Sequence, residues 1–220
     1  MRSSVSAIRP VLGALLPAFL VLSACQQAEP LALPAAGTDR AATCAVVAAA
    51  EARRASGVQA EIPIEAQGRI LHYALLEGAK DGEFSGEAAG AVNRRMGELE
   101  ASVTGGKWQG LAPACLEAFP ATAASDPALP KGTLDAQLGC DELAGFMMTA
   151  LERQKARYGN ELAEYRLLRQ GLEQKLAPGL RARAGADRLK QQAVRREALS
   201  AIAKAGSPVP LLRLCVERYG

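Results

Sequence analysis

Leu111-Ala-Pro-Ala-Cys115-Leu-Glu-Ala-Phe119 and Leu211-Leu-Arg-Leu-Cys215-Val-Glu-Arg-Tyr219 are two versions of one stretch, at an offset of 100 residues. Each sets a leucine four residues before a cysteine, a glutamate two after it and an aromatic ring four after it. Residues at i−4, i and i+4 share one face of a helix, so both stretches read as short amphipathic helices with the sulfur facing inward. At the same offset Leu99 matches Leu199 and Gly106 matches Gly206. Each of these cysteines also has an upstream partner at a similar interval: Cys44 lies 71 residues before Cys115, and Cys140 lies 75 before Cys215. The ordered repetition predicts a diverged tandem duplication.

Working outward, the first copy reads as four helices. Thr38-Asp39 is an expected N-cap for an Ala-rich helix carrying Cys44, Val47, Ala48 and Ala55, which Gly57 stops. Pro63 suits the first turn of a second helix with Ile70, Tyr73 and Ala74 on its apolar side. Ser85 caps a third, with the stripe Ala88, Val92, Met96, Leu99 and Val103, ended by Gly105-Gly106. The fourth presents Trp108, Leu111, Cys115 and Phe119. The second copy repeats the plan. Thr133 is the expected cap of a helix with Leu138, Cys140, Ala144, Met147, Met148 and Leu151 inward. Leu162, Tyr165, Leu168, Leu172 and Leu176 form the next stripe, with Pro178 as a kink or restart. A helix from Leu180 to Lys204 follows, with Leu189, Val194, Leu199 and Ile202 as its apolar members, and Ser207-Pro208 opens the last one.

Composition agrees. The chain is 49% hydrophobic but only 4% aromatic, so its core must come from closely spaced Ala- and Leu-rich helices instead of a few large rings. No stretch alternates β-branched residues for long, and no strands are expected. The fold class is therefore all-α: two tandem, disulfide-stapled helical units of about four helices each, forming a bundle. Charge is unevenly shared. Residues 25–130 hold 8 Lys+Arg against 13 Asp+Glu, a net −5, and residues 131–220 hold 16 against 10, a net +6. Two such surfaces are expected to attract each other and to leave some charge solvated.

The N-terminus carries a different signal. Arg2 and Arg9 precede an apolar run from Val11 to Leu22, well short of the roughly 20 residues that span a bilayer. Leu22-Ser23-Ala24-Cys25 follows. A basic start, a short apolar run and small residues before a cut are the pattern of an export signal. With a cysteine just after Leu-Ser-Ala, the stretch resembles the lipobox of bacterial lipoproteins. That resemblance implies cleavage before Cys25, a diacylglyceryl thioether on its sulfur and an acyl chain on its amine. Residues 1–24 would be the removed signal peptide. One acyl chain alone binds a membrane only marginally, whereas the set implied by the family would hold the protein for its lifetime. In such lipoproteins an Asp after the lipidated cysteine favours inner-membrane retention. Gln26 stands there instead, so the resemblance favours the outer membrane, with the body facing the periplasm. Residues 25–37, with Pro30 and Pro34, read as a short extended tether. The mature chain resembles no named family closely.

Export puts the remaining cysteines in an oxidising compartment, where Cys44, Cys115, Cys140 and Cys215 form an even set. The within-copy pairing, Cys44–Cys115 with Cys140–Cys215, suits a small Ala-rich unit that needs a staple. Cys115–Cys140 with Cys44–Cys215, and the crossed pairing, stay open. The expected boundaries are 38–119 for the first unit, 120–132 for a Pro-rich linker and 133–220 for the second.

Little catalytic chemistry is visible. No CxxC or CxxCH exists, which removes the usual zinc and c-type haem patterns, and no cofactor is expected. His72 is the only histidine and reads as a surface or satisfied core residue. Met147 and Met148 read as core filler. Asp81-x-Glu83-x-Ser85 starts like a calcium loop but has Val92 where a bidentate glutamate is required. The candidate partner-binding face is basic: Arg181, Arg188 and Arg195 recur every seven residues, with Arg183 and Lys190 beside them. Its candidate partners are anionic lipid, lipopolysaccharide or another envelope protein, and the compartment excludes nucleic acid. The expected function is a non-enzymatic binding or structural role at the cell envelope. The alternative is a small-ligand carrier or enzyme with a site between the two units.

Overall fold

The computed structural model describes residues 31–57, 60–124 and 126–220. The lipobox, Cys25, Gln26 and the start of the tether lie outside the described residues. Among the described residues there are eight α-helices and no strand. In chain order they are α1 (Gly37–Ser56), α2 (Ile64–Ala79), α3 (Gly86–Thr104), α4 (Ala112–Ala118), α5 (Thr133–Leu151), α6 (Gly159–Ala184), α7 (Arg188–Ala205) and α8 (Pro208–Tyr219). The protein is an all-α bundle of two disulfide-stapled units.

The two units share a plan. In the first, α1 packs against both α2 and α3, and the Cys44–Cys115 disulfide ties it to α4. In the second, α5 packs against both α6 and α7, and Cys140–Cys215 ties it to α8. The alternative pairings are thereby excluded. The central helices differ in how they achieve close contact. In α1, Ala41, Ala42, Ala45, Ala48, Ala49, Ala50 and Ala52 are all buried, so its neighbours approach the backbone on several sides at once. In α5 two glycines do this work. A Cβ on Gly139 would stand 3.1 Å from Ile202 of α7, and one on Gly145 would stand 3.2 Å from the Arg169 guanidinium of α6.

Several local expectations are corrected. Helix α1 begins at Gly37, one residue before Thr38-Asp39, and has no side-chain cap; Asp39 instead binds Arg95 at 2.7 Å. Helix α5 starts at Thr133 itself, so Gly132 holds the capping position. Ser85 does cap α3, its Oγ accepting from the Ala88 amide at 3.2 Å. Pro178 does not break α6, which runs through it; positions 174 and 178 are both exposed, where a lost helical hydrogen bond is tolerated best. The expected helix from Leu180 to Lys204 is two helices. Gly185 turns the chain at φ 67°, and Asp187 starts α7 by accepting from the Leu189 and Lys190 amides at 2.9 and 3.3 Å. Leu189, one of the apolar members of that expected helix, therefore stands on the first turn of α7 and is 75% exposed. Nor is the whole tether free: Leu31 and Leu33 pack on a small cluster of Val46, Val47, Val103, Trp108 and Leu111.

The units meet along a seam in which α2 packs against α7 and α8 within one continuous core. Gly68 of α2 admits Val209 so closely that a Cβ there would meet Val209 Cγ2 at 2.6 Å. Backbone groups are satisfied across the seam. Tyr158 Oη donates to the Ile62 carbonyl at 2.7 Å, Ser200 Oγ to Ala79 at 2.9 Å, and the Phe84 amide to Arg196 at 3.1 Å. Phe84 and Phe146 meet edge to face at 5.9 Å. Among the described residues three ion pairs cross it: Glu61–Arg157 at 3.2 Å, Glu83–Arg196 at 2.8 Å, and Glu65–Arg213. In each the acid comes from the first unit and the arginine from the second, so part of the charge asymmetry is neutralised at the seam.

Candidate functional site

A heptad of arginines makes one stripe only on one continuous helix. The turn at Gly185–Asp187 removes that condition and scatters the five candidate cations. Arg181 and Arg183 end α6, while Arg188 and Lys190 begin α7. Arg183 pairs with Asp135 of α5, which raises its pKa through that hydrogen bond, against a smaller opposing effect of burial. Arg195, two turns along α7, is half-buried and turned toward α5. Arg181, Arg188 and Lys190 are exposed around the α6–α7 corner beside Leu189. The expected face is thus a corner of three cations plus two arginines engaged within the unit.

Arg195 points into the feature that holds most of the polar chemistry, a half-open cleft of about 500 Å³ between α5, α6 and α7. Its floor is Asp141, whose residue is only 5% exposed. Burying a carboxylate is costly unless it is paired and hydrogen-bonded, and Asp141 is both. Arg169 Nε donates to one carboxylate oxygen at 2.9 Å and Arg195 Nη1 to the other at 2.7 Å. Arg195 Nη1 also reaches Glu142 at 2.7 Å. Burial opposes the charge on Arg195, but Glu142 and Asp141 outweigh it and raise its pKa. The outer wall is one face of α6. Arg166, Arg169, Gln170 and Glu173 fall at i, i+3, i+4 and i+7, with Met148 of α5 opposite. Of these residues the sequence marks Arg195 as a candidate site residue and Met148 only as core filler. A visible signal for the rest was Gly145, a helix-interior glycine that costs about 1 kcal/mol and needs a reason.

His72 sits elsewhere, in the seam, fully buried on α2. Its Nε2 lies 2.7 Å from the Ala203 carbonyl in the last turn of α7. A carbonyl only accepts, so Nε2 carries the proton and caps one of the free carbonyls of that helix end. Nδ1 is buried with no partner. Burial therefore lowers the His72 pKa to about 4, with the Ala203 hydrogen bond opposing it, and the ring is neutral at pH 7. It is a structural core group.

The calcium-like stretch is a turn between α2 and α3: Glu83 is committed to Arg196 and Ser85 to the α3 cap. Among the described residues no three His, Cys, Asp or Glu side chains could hold a metal ion together. Nor is any single helix among them long and apolar enough to cross a membrane. Comparison with protein-family models, with curated proteins and with solved structures finds no match.

Proposed function

We propose that this chain is a lipid-anchored protein of the bacterial cell envelope, facing the periplasm from the outer membrane, with a non-enzymatic binding or structural role. The observation that carries the reading is the fate of the cysteines. Four of the five are consumed in two intra-unit disulfides, as suits an oxidising compartment. The odd one, Cys25, stands immediately after Leu22-Ser23-Ala24, where the lipobox resemblance supplies a thioether. The filled seam supports a binding or structural role over a carrier or enzyme site between the units, because packed side chains and paired charges occupy the place where such a site would lie.

The test is cell fractionation with a labelled fatty acid. Wild type should carry label and sediment with outer membranes at its mature size. Cys25→Ala should carry no label and accumulate as precursor. A Cys25→Ala protein of mature size in the membrane fraction would refute the anchor.

A further inference from the structure

Helix α5 carries Gly145 in its interior, against Arg169: the atoms nearest to a Cβ there are Arg169 Cζ at 3.2 Å, Nη1 at 3.3 Å and Nε at 3.6 Å. The glycine lets the guanidinium lie flat on the helix, with Nε spent on Asp141. No partner is found for the two Nη groups of Arg169 among the described residues, and its side chain is 42% exposed. Arg195 likewise uses Nη1 alone. One helical turn from Arg169, Arg166 lines the same cleft and forms no salt bridge among the described residues. Buried Asp141 thus orients two guanidiniums by one edge each and leaves their other donors toward a cleft of ligand size.

We propose that this cleft is an oxyanion-binding site, with Arg166 and Arg169 as the gripping groups and Asp141 and Gly145 as positioning residues. Guanidinium forks match carboxylate and phosphate oxygens two at a time, and donors fixed in advance lose less entropy on binding. The ligand class is a small molecule or exposed group bearing a carboxylate or a phosphate. Met148 offers an apolar contact beside it, and Glu142 and Glu173 in the walls disfavour highly charged polyanions. The proposal deepens the binding role above but does not depend on the anchor: unchanged fractionation of Cys25→Ala would sink the anchor and leave the cleft untouched.

The purified full chain, held in non-ionic detergent, would be titrated calorimetrically with inorganic phosphate and with succinate at constant ionic strength set by sodium chloride. Saturable binding of either supports the site, and the stronger of the two identifies the source chemistry. Arg166→Gln, at a residue with no salt bridge among the described residues, should weaken that binding about tenfold or more. Gly145→Ala is a second probe of the same guanidinium. Its Cβ would stand 3.2 Å from Arg169 Cζ, so Arg169 must give by a few tenths of an ångström and affinity should fall severalfold, while the gain in helix propensity offsets part of the cost of shifting the Asp141 partner and the chain should still melt cooperatively. Arg181→Gln, at the distant corner, should change nothing. No saturable binding of either anion would overturn the proposal, as would equal binding by wild type, Arg166→Gln and Gly145→Ala.

Discussion

Replacing His72 with Gln should remove a large part of the pH dependence of stability between pH 7 and 5. The wild-type ring is neutral in the fold, with its pKa lowered to about 4, and returns to an ordinary value near 6.5 on unfolding. A lowered histidine pKa means that the unfolded chain binds the proton first. Stability is therefore complete above the unfolded value and falls as pH drops from about 6.5 toward 4. Integrating the two pKa values gives a loss of about 2 kcal/mol from pH 7 to 5, and about 3 kcal/mol by pH 4. The upper window is the informative one. Glu65 of the seam is held below its usual value by its backbone hydrogen bond, against burial, and by Arg213, so its contribution is lost only at more acid pH. Gln keeps an amide donor for the Ala203 carbonyl but cannot titrate. Urea unfolding at pH 7 and 5, with disulfides intact, should show wild-type stability dropping by about 2 kcal/mol more than that of His72→Gln. Equal drops would mean that His72 is solvated and that the seam has been misread.

Other outcomes follow from the same contacts. Replacing Cys44 and Cys115 together with Ala opens a loop closed across 71 residues, and should cost about 4 kcal/mol in urea unfolding by the chain-entropy estimate. Gly68→Leu drives a side chain into Val209 and should destabilise by roughly 3 kcal/mol; a neutral result would mean that α2 and α8 are not in contact. Glu83→Gln should cost no more than about 1 kcal/mol, since both partners are about half exposed, and the loss should shrink further in high salt.

Much of the fold was legible because its signals are local. Helix stripes, the Ser85 cap and the cysteine intervals need only a few residues each, and the intervals repeat, which favoured the within-unit disulfides. The break at Gly185–Asp187 was also written locally, as a glycine two residues before a capping aspartate. It was missed because the seven-residue recurrence of arginine suggests continuity, although such a period can run across a turn. The cleft was not legible. Asp141 and Arg169 are 28 residues apart, and only the crossing of α5 and α6 makes them neighbours. Nothing in the text around Asp141 marks it as buried, since its helix carries apolar residues on most of its circumference. The seam lay between these cases: opposite net charges predicted attraction, but not which glutamates meet which arginines.

The filled seam makes the two stapled units one body, and differential scanning calorimetry of the purified, oxidised protein at pH 7 reads this out. One transition, with equal calorimetric and van't Hoff enthalpies, is the predicted result. Two separable transitions, one for each disulfide-bonded unit, would contradict it.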